Sequence, residues 1–237
     1  MKGLFSYDSP FVQALLTLAD MIMVNILFII CCLPLFTIGA AQSGLFNAMR
    51  VLQDKEDDSS CAAAFFRGFK NGFGRITIVW IGFLLVFAVL FYNFVGVYLI
   101  GHAGLDAPII FSIVGLCLCA LLYTQMTIFH SRFSCTIPQL FKNAVLMTLA
   151  HPLRAILVTV LTWLHIIITL ADLYSIVLMA PVYLALWFSV MALFSYTVVK
   201  KPFKGLEEEF LKKQAANNAG TETAEASLPE AEETPAE

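Results

Sequence analysis

The sequence predicts an all-α, polytopic membrane bundle of about five transmembrane helices plus an amphipathic interfacial helix, and three observations predict it. Hydrophobic residues fill 59% of the 237 positions and charged residues only 13%, about half the share usual in a soluble domain. The charges are gathered between long uncharged stretches. Lysine and arginine, moreover, fall on alternate connections. A soluble fold of this size leaves too much surface wet to hide so many apolar side chains.

The uncharged stretches are Met21 to Met49, Ile76 to Leu105, Ala107 to Ser131, Ala155 to Ala171 and Leu173 to Val199. A hydrocarbon core about 30 Å thick takes roughly 20 helical residues to cross, with about 17 the lower limit. The expected spans are 14–34, 76–100, 108–130, 154–171 and 176–199. Helices are required because backbone amides in lipid must be satisfied within the segment, and barrel alternation is absent.

The first span carries Asp20 and Asn25 in an otherwise apolar helix. Ionisable groups are costly in a bilayer, so Asp20 is expected near the outer interface and Asn25 in an interhelical hydrogen bond. The span runs on to Gly39-Ala40-Ala41, a layout shared with cleaved signal peptides, but the run is too long and Lys2 is its only positive leader. Pro34 cannot donate a backbone hydrogen bond, so the helix should break there, with Thr37 and Gly39 suited to a turn or recap. Ala40, Gly44 and Ala48 then form a small-residue stripe that lets another helix approach closely.

The first connection holds Arg50, Lys55, Arg67, Lys70 and Arg75. Phe65, Phe66, Phe69 and Phe73 recur at helical spacing among those charges, the pattern of a helix lying in the membrane interface. Arg132, Lys142 and Arg154 occupy the third connection, and five lysines follow the last span. The connections around Asp106 and Asp172 have neither lysine nor arginine. Thirteen of the fourteen basic residues thus share one side, with Lys2 opposite, which predicts an outside N-terminus and a cytoplasmic C-terminus. Phe141-Lys142-Asn143 echoes Phe69-Lys70-Asn71 and suggests a degenerate parallel repeat of two helical hairpins.

His130 near the end of the third span and His165 in the fourth complete the candidate intramembrane polar groups. The six cysteines contain no C-x-x-C pair, and a reducing inner side calls for neither zinc nor disulfides. No G-x-S-x-G, H-E-x-x-H or phosphate-binding glycine loop occurs, so the sequence calls for no catalytic residue, cofactor, metal or nucleic-acid partner. Residues 205–237 form a separate acidic segment: beyond Lys213 it has six glutamates and no basic residue, a composition expected to be disordered in the cytoplasm.

Several of these positions form a recognisable set: Phe5, Asp8, Pro10, Asp20 and Asn25, then Cys32-Leu33-Pro34 with Thr37-Ile38-Gly39-Ala40. Phe65-Phe66-Arg67-Gly68-Phe69-Lys70-Asn71, Arg132-Phe133, Lys142-Asn143-Ala144 and Pro152 continue it. Over residues 5 to about 200 the chain resembles the YesL-like family of bacterial integral membrane proteins, whose founding domain is of unknown function. The resemblance implies an inner-membrane protein often encoded beside carbohydrate ABC importers and glycoside hydrolases, and it brings no chemistry with it. The expected function is therefore that of a non-catalytic accessory or interaction protein. Its partners would be the lipid bilayer, with ABC sugar importer subunits, a membrane sensor or further copies of itself. The alternative is a small oligomeric transporter or channel that uses the polar intramembrane residues.

Overall fold

The computed structural model describes residues 9–54, 59–99, 107–133, 136–171, 180–201 and 205. Among them there is no strand. The helices are α1 (Pro10–Cys32), α2 (Ile38–Asp54), α3 (Cys61–Leu99), α4 (Ala107–Arg132), α5 (Ile137–Ala150), α6 (Pro152–Ala171) and α7 (Ala180–Lys201). The chain divides into two units, Met1–Val198 and Val199–Glu237, and the packing below belongs to the first. Four helices, α1, α3, α4 and α7, are long and apolar enough to cross a membrane; α5 and α6, bent by 112° between them, would together make a fifth. This is a multi-pass membrane protein. Residues 206–237 of the acidic segment, Asp172 and Cys135 lie outside the described residues.

α1 starts on Ser9, whose hydroxyl accepts from the Val12 N–H, with Pro10 as its first residue. It ends where Pro34 withdraws a donor. A 3₁₀ turn, Leu35–Thr37, follows, and the Thr37 hydroxyl sits 2.6 Å from the Cys31 carbonyl and 2.7 Å from that of Pro34. The expected break is thus a turn held by the threonine.

After that turn the chain reverses. Trp80 donates its indole N–H to Leu35 O, Ser43 packs on Gly72, and Asn47 packs on Gly68 and bonds Ala64 O, so α2 runs antiparallel to the first half of α3. α1 runs parallel to α3: the Asp20 carboxylate lies near the Cys61 thiol at one end, and Leu35 accepts from Trp80 further up. Pro10 and Asp54 therefore lie towards the same end of the bundle, together with the start of α3 and the end of α4. In the sequence reading the first span descends to the basic side; in the structure it rises from it. Likewise Asp20, expected at the outer interface, is half-buried near the basic end.

The small-residue stripe does what its spacing suggests. A Cβ on Gly44 would fall 2.8 Å from the Phe65 carbonyl oxygen, and one on Gly68 would fall 2.7 Å from Asn47 Cβ. Gly39 against Trp80 and Gly72 against Ser43 are as tight. Glycines on both helices let the backbones nearly touch. α2 consequently has buried residues on every face, including Ala41, Gly44, Phe46, Ala48 and Met49.

Residues 61–75, expected to lie separately in the interface, are instead the first turns of α3 and continuous with its apolar part. Phe65 is fully buried against α2, Phe69 is half-buried, and Phe66 and Phe73 are exposed. α5 has a more interfacial character. It opens with a Thr136–Gln139 capping box, buries Leu140 and Ala144, and exposes Phe141, Lys142, Leu146 and Leu149. The two Phe-Lys-Asn triplets thus sit in unlike places, one inside a 39-residue helix and one in a helix that stops before Pro152.

Candidate functional site

Two features occupy opposite sides of α2. The first is a cleft of about 630 Å³ between α2, α3 and the end of α4. α2 supplies Ser43, Asn47 and Arg50, spaced so that they share one helix face. α3 supplies Arg67, Lys70, Asn71 and Arg75, while Gly68 and Gly74 keep its wall low. α4 adds His130, Ser131 and Arg132 in its last turn. No aspartate or glutamate lines the cleft among the described residues.

Several of these groups are fixed by neighbours. Ser43 Oγ lies 3.3 Å from His130 Nδ1, both buried, and this contact ties α2 to α4. Asn47 donates to Ala64 O at 2.7 Å. Arg67 donates to Ser59 Oγ at 2.7 Å. Arg132 donates to the Tyr196 hydroxyl at 3.0 Å, which in turn donates to Asp54. The Nε of Arg50 is buried without a hydrogen-bond partner. A buried donor left unsatisfied costs about 1–3 kcal/mol, more when charged. The cleft therefore concentrates positive charge and keeps an unmet donor beside it.

The second feature is an apolar cavity of about 210 Å³ at the centre of the bundle. Trp80, Tyr123, Trp163, Trp187 and Phe188 form much of its wall, with Gln42 accepting from the Tyr123 hydroxyl at 2.8 Å. Trp80, Phe83, Tyr123 and Trp163 also pack ring to ring, with centroids 4.8–6.2 Å apart.

Beside this cavity α7 opens into a π-helical turn, Tyr183–Trp187. A π-turn breaks the i to i+4 ladder and leaves backbone groups without their regular partners. Asn25 supplies them. Its Nδ2 donates to Tyr183 O at 2.9 Å and Leu184 O at 2.8 Å, and its Oδ1 accepts from Phe188 N–H at 3.1 Å and Ser189 N–H at 3.2 Å. The fully buried carboxamide thus uses both donors and both lone pairs on one turn of backbone. Ser189 Oγ adds a bond to Met21 O at 2.9 Å.

The residues singled out from sequence separate accordingly. Lys70, Asn71 and His130 meet in the cleft. Asn25 is a brace for α7, and Asp20 sits apart from both features, beside Cys61. Pro34, Thr37 and Gly39 shape the hairpin, and Phe66 and Phe69 flank α3. Lys142 and Asn143 stay on α5, and His165 lies on α6 with its side chain outside the described residues. Sequence reasoning missed Ser43, Asn47 and Arg50 as a wall of the cleft. Their i, i+4, i+7 spacing, matched by Arg67, Asn71 and Gly74, was the available signal.

A family described as "Protein of unknown function, DUF624" matches residues 21–94, which cover the second half of α1, all of α2 and most of α3. No curated protein matches the chain, and no solved structure does.

Proposed function

We propose that the chain is a non-catalytic accessory protein of the bacterial cell membrane that receives an anionic partner at its basic cleft. The observation supporting this is the convergence of Arg50, Arg67, Lys70, Arg75 and Arg132 from three helices, with no carboxylate among the lining residues. Complementary charge sets partner choice and encounter rate more than raw affinity, which suits an accessory protein. The Ser43–His130 pair is assigned a structural role, since the hydroxyl is packed against Gly72. The match to a family of unknown function fits the YesL-like resemblance, and with it ABC sugar importer subunits are the partners to look for.

Affinity purification in mild detergent tests this reading. Charge reversal by Arg67→Glu with Arg75→Glu should remove the main co-purifying protein while leaving the amount of membrane-inserted chain near wild type. An unchanged set of partners would overturn it.

The membrane topology that goes with this reading places both chain ends in the cytoplasm. α1 and α2 form a hairpin entering from the basic side, and α3, α4, α5–α6 and α7 make the crossings. Lys2, which precedes α1, then joins the other thirteen basic residues on the inner side, and none is left outside. Reporters fused ahead of Pro10, after Asp57, after Gln139 and at the C-terminus should all report cytoplasm, and fusions at Gly104 and Tyr174 should report outside. An external signal ahead of Pro10 would restore a first helix that crosses from outside.

The central cavity favours a second reading, a small transporter. Asn25 does not serve it, because its hydrogen-bonding capacity is fully used by α7.

A further inference from the structure

We infer that the basic cleft is a binding site for a phosphate-bearing ligand; this rests on reading the cleft as an anion receptor and names the class of anion. Four of its five permanent cations are arginines, Arg50, Arg67, Arg75 and Arg132. The planar guanidinium presents paired donors that match phosphate oxygens bidentately. A single carboxylate carries one charge and engages one such fork. A phosphate ester carries about −1.5 to −2 charges and three strong acceptor oxygens, so it can bridge several arginines at once.

The neutral groups fit the same ligand. Ser43, Asn71 and Ser131 offer hydroxyl and amide donors along the walls, and the buried Arg50 Nε lacks an acceptor. The room available, about 630 Å³, exceeds what one inorganic phosphate fills and suits a diphosphate or a phosphate ester with its attached group. Two sources of such a group reach the cleft. The exposed Phe66 and Phe73 lie on α3 close to the cationic positions, which puts apolar surface within reach of a lipid; the cleft is also open enough to admit a soluble phosphate.

The full chain reconstituted in phosphatidylcholine nanodiscs tests the inference with three probes. These are labelled inorganic pyrophosphate, phosphatidic acid added to the bilayer and retained on native mass spectrometry, and a hexaglutamate peptide. Arg67→Gln with Arg75→Gln removes two exposed cleft cations, and Lys142→Gln with Arg154→Gln removes the same charge elsewhere. Saturable binding of pyrophosphate, or retention of phosphatidic acid, should weaken roughly tenfold or more in the cleft variant and less than about twofold in the control. Pyrophosphate binding identifies a soluble source, and retention of phosphatidic acid alone identifies a lipid source. Hexaglutamate binding as tightly as the phosphates would overturn the phosphate assignment and leave the anion receptor standing. Binding of none of the three would overturn both. Equal weakening in the two variants, or weakening in neither, would show that net charge or another site holds the probes and would also overturn the inference.

Discussion

Gly44→Leu should prevent most of the chain from accumulating as a folded membrane protein. Even the first added carbon would sit 2.8 Å from the Phe65 carbonyl oxygen and 3.2 Å from its ring, and backbone cannot rotate away as a side-chain tip can. Phe65 is itself fully buried, so the helices can only separate. Overpacking of this kind costs about 1–3 kcal/mol, and more where the obstacle is backbone. Separation would also disturb the Gly68–Asn47 and Gly72–Ser43 contacts in the same seam. Gly82→Leu on α3 is the matched control, because a Cβ there meets nothing within 4 Å. The yield of monodisperse protein in detergent, with its unfolding midpoint, should fall sharply for the first variant and stay near wild type for the second. Equal behaviour of the two would mean that the α2–α3 seam does not hold the fold.

Asn25→Leu should be nearly as damaging although both side chains have four heavy atoms branched in the same way. The substitution strips partners from the Tyr183 and Leu184 carbonyls and from the Phe188 and Ser189 amides at once. Each buried group left unsatisfied costs about 1–3 kcal/mol, and in a bilayer no bulk water is at hand to replace the bond. A loss of at least about 3 kcal/mol in the detergent or SDS unfolding equilibrium is expected. Asn25→Asp keeps the acceptor for the two amides and loses both donors. Deleting Ala185 within the π-turn restores a regular ladder, so it should recover part of the loss in the Asn25→Leu background and destabilise the wild type. If Asn25→Leu unfolds at the wild-type midpoint, the brace is dispensable.

Much of this architecture could be read from residue order. Uncharged runs announce the apolar helices because charge is expensive in lipid, and Pro34 with Thr37 announces a break because proline lacks a donor. Where the chain goes after that break is a different matter. A crossing first helix and a returning hairpin differ in the charge count by Lys2 alone, and the contacts that support the hairpin, Leu35 with Trp80 and Asp20 near Cys61, join residues about 40 positions apart. The stripe through Ala40, Gly44 and Ala48 was legible. Its counterpart, Gly68 and Gly72, stood in plain view inside a segment dominated by phenylalanine and charge. The cleft was only half legible for the same reason: Arg67 and Lys70 read locally as headgroup contacts, and nothing local ties them to His130 and Arg132. A π-turn has no compositional mark, so the task of Asn25 could be seen as polar and buried but not as bracing α7.

The placement of α2 bears on how the chain is made. This helix is too polar to be stable alone in lipid, since it carries Ser43, Asn47 and Arg50, and in the finished protein it is enclosed by neighbours. The last part of that enclosure arrives late. Gln53 bonds Leu193 O and Thr197, Asp54 takes the Tyr196 hydroxyl, and Asn25 in the other arm waits for Tyr183 to Ser189. The first hairpin to leave the ribosome therefore cannot be completed until the last helix has entered the membrane. Until then Asn25, Gln53 and Asp54 lack the partners that α7 supplies. A chain that stops short of α7 therefore leaves one side of that hairpin uncovered, with Asn25 and Gln53 unsatisfied.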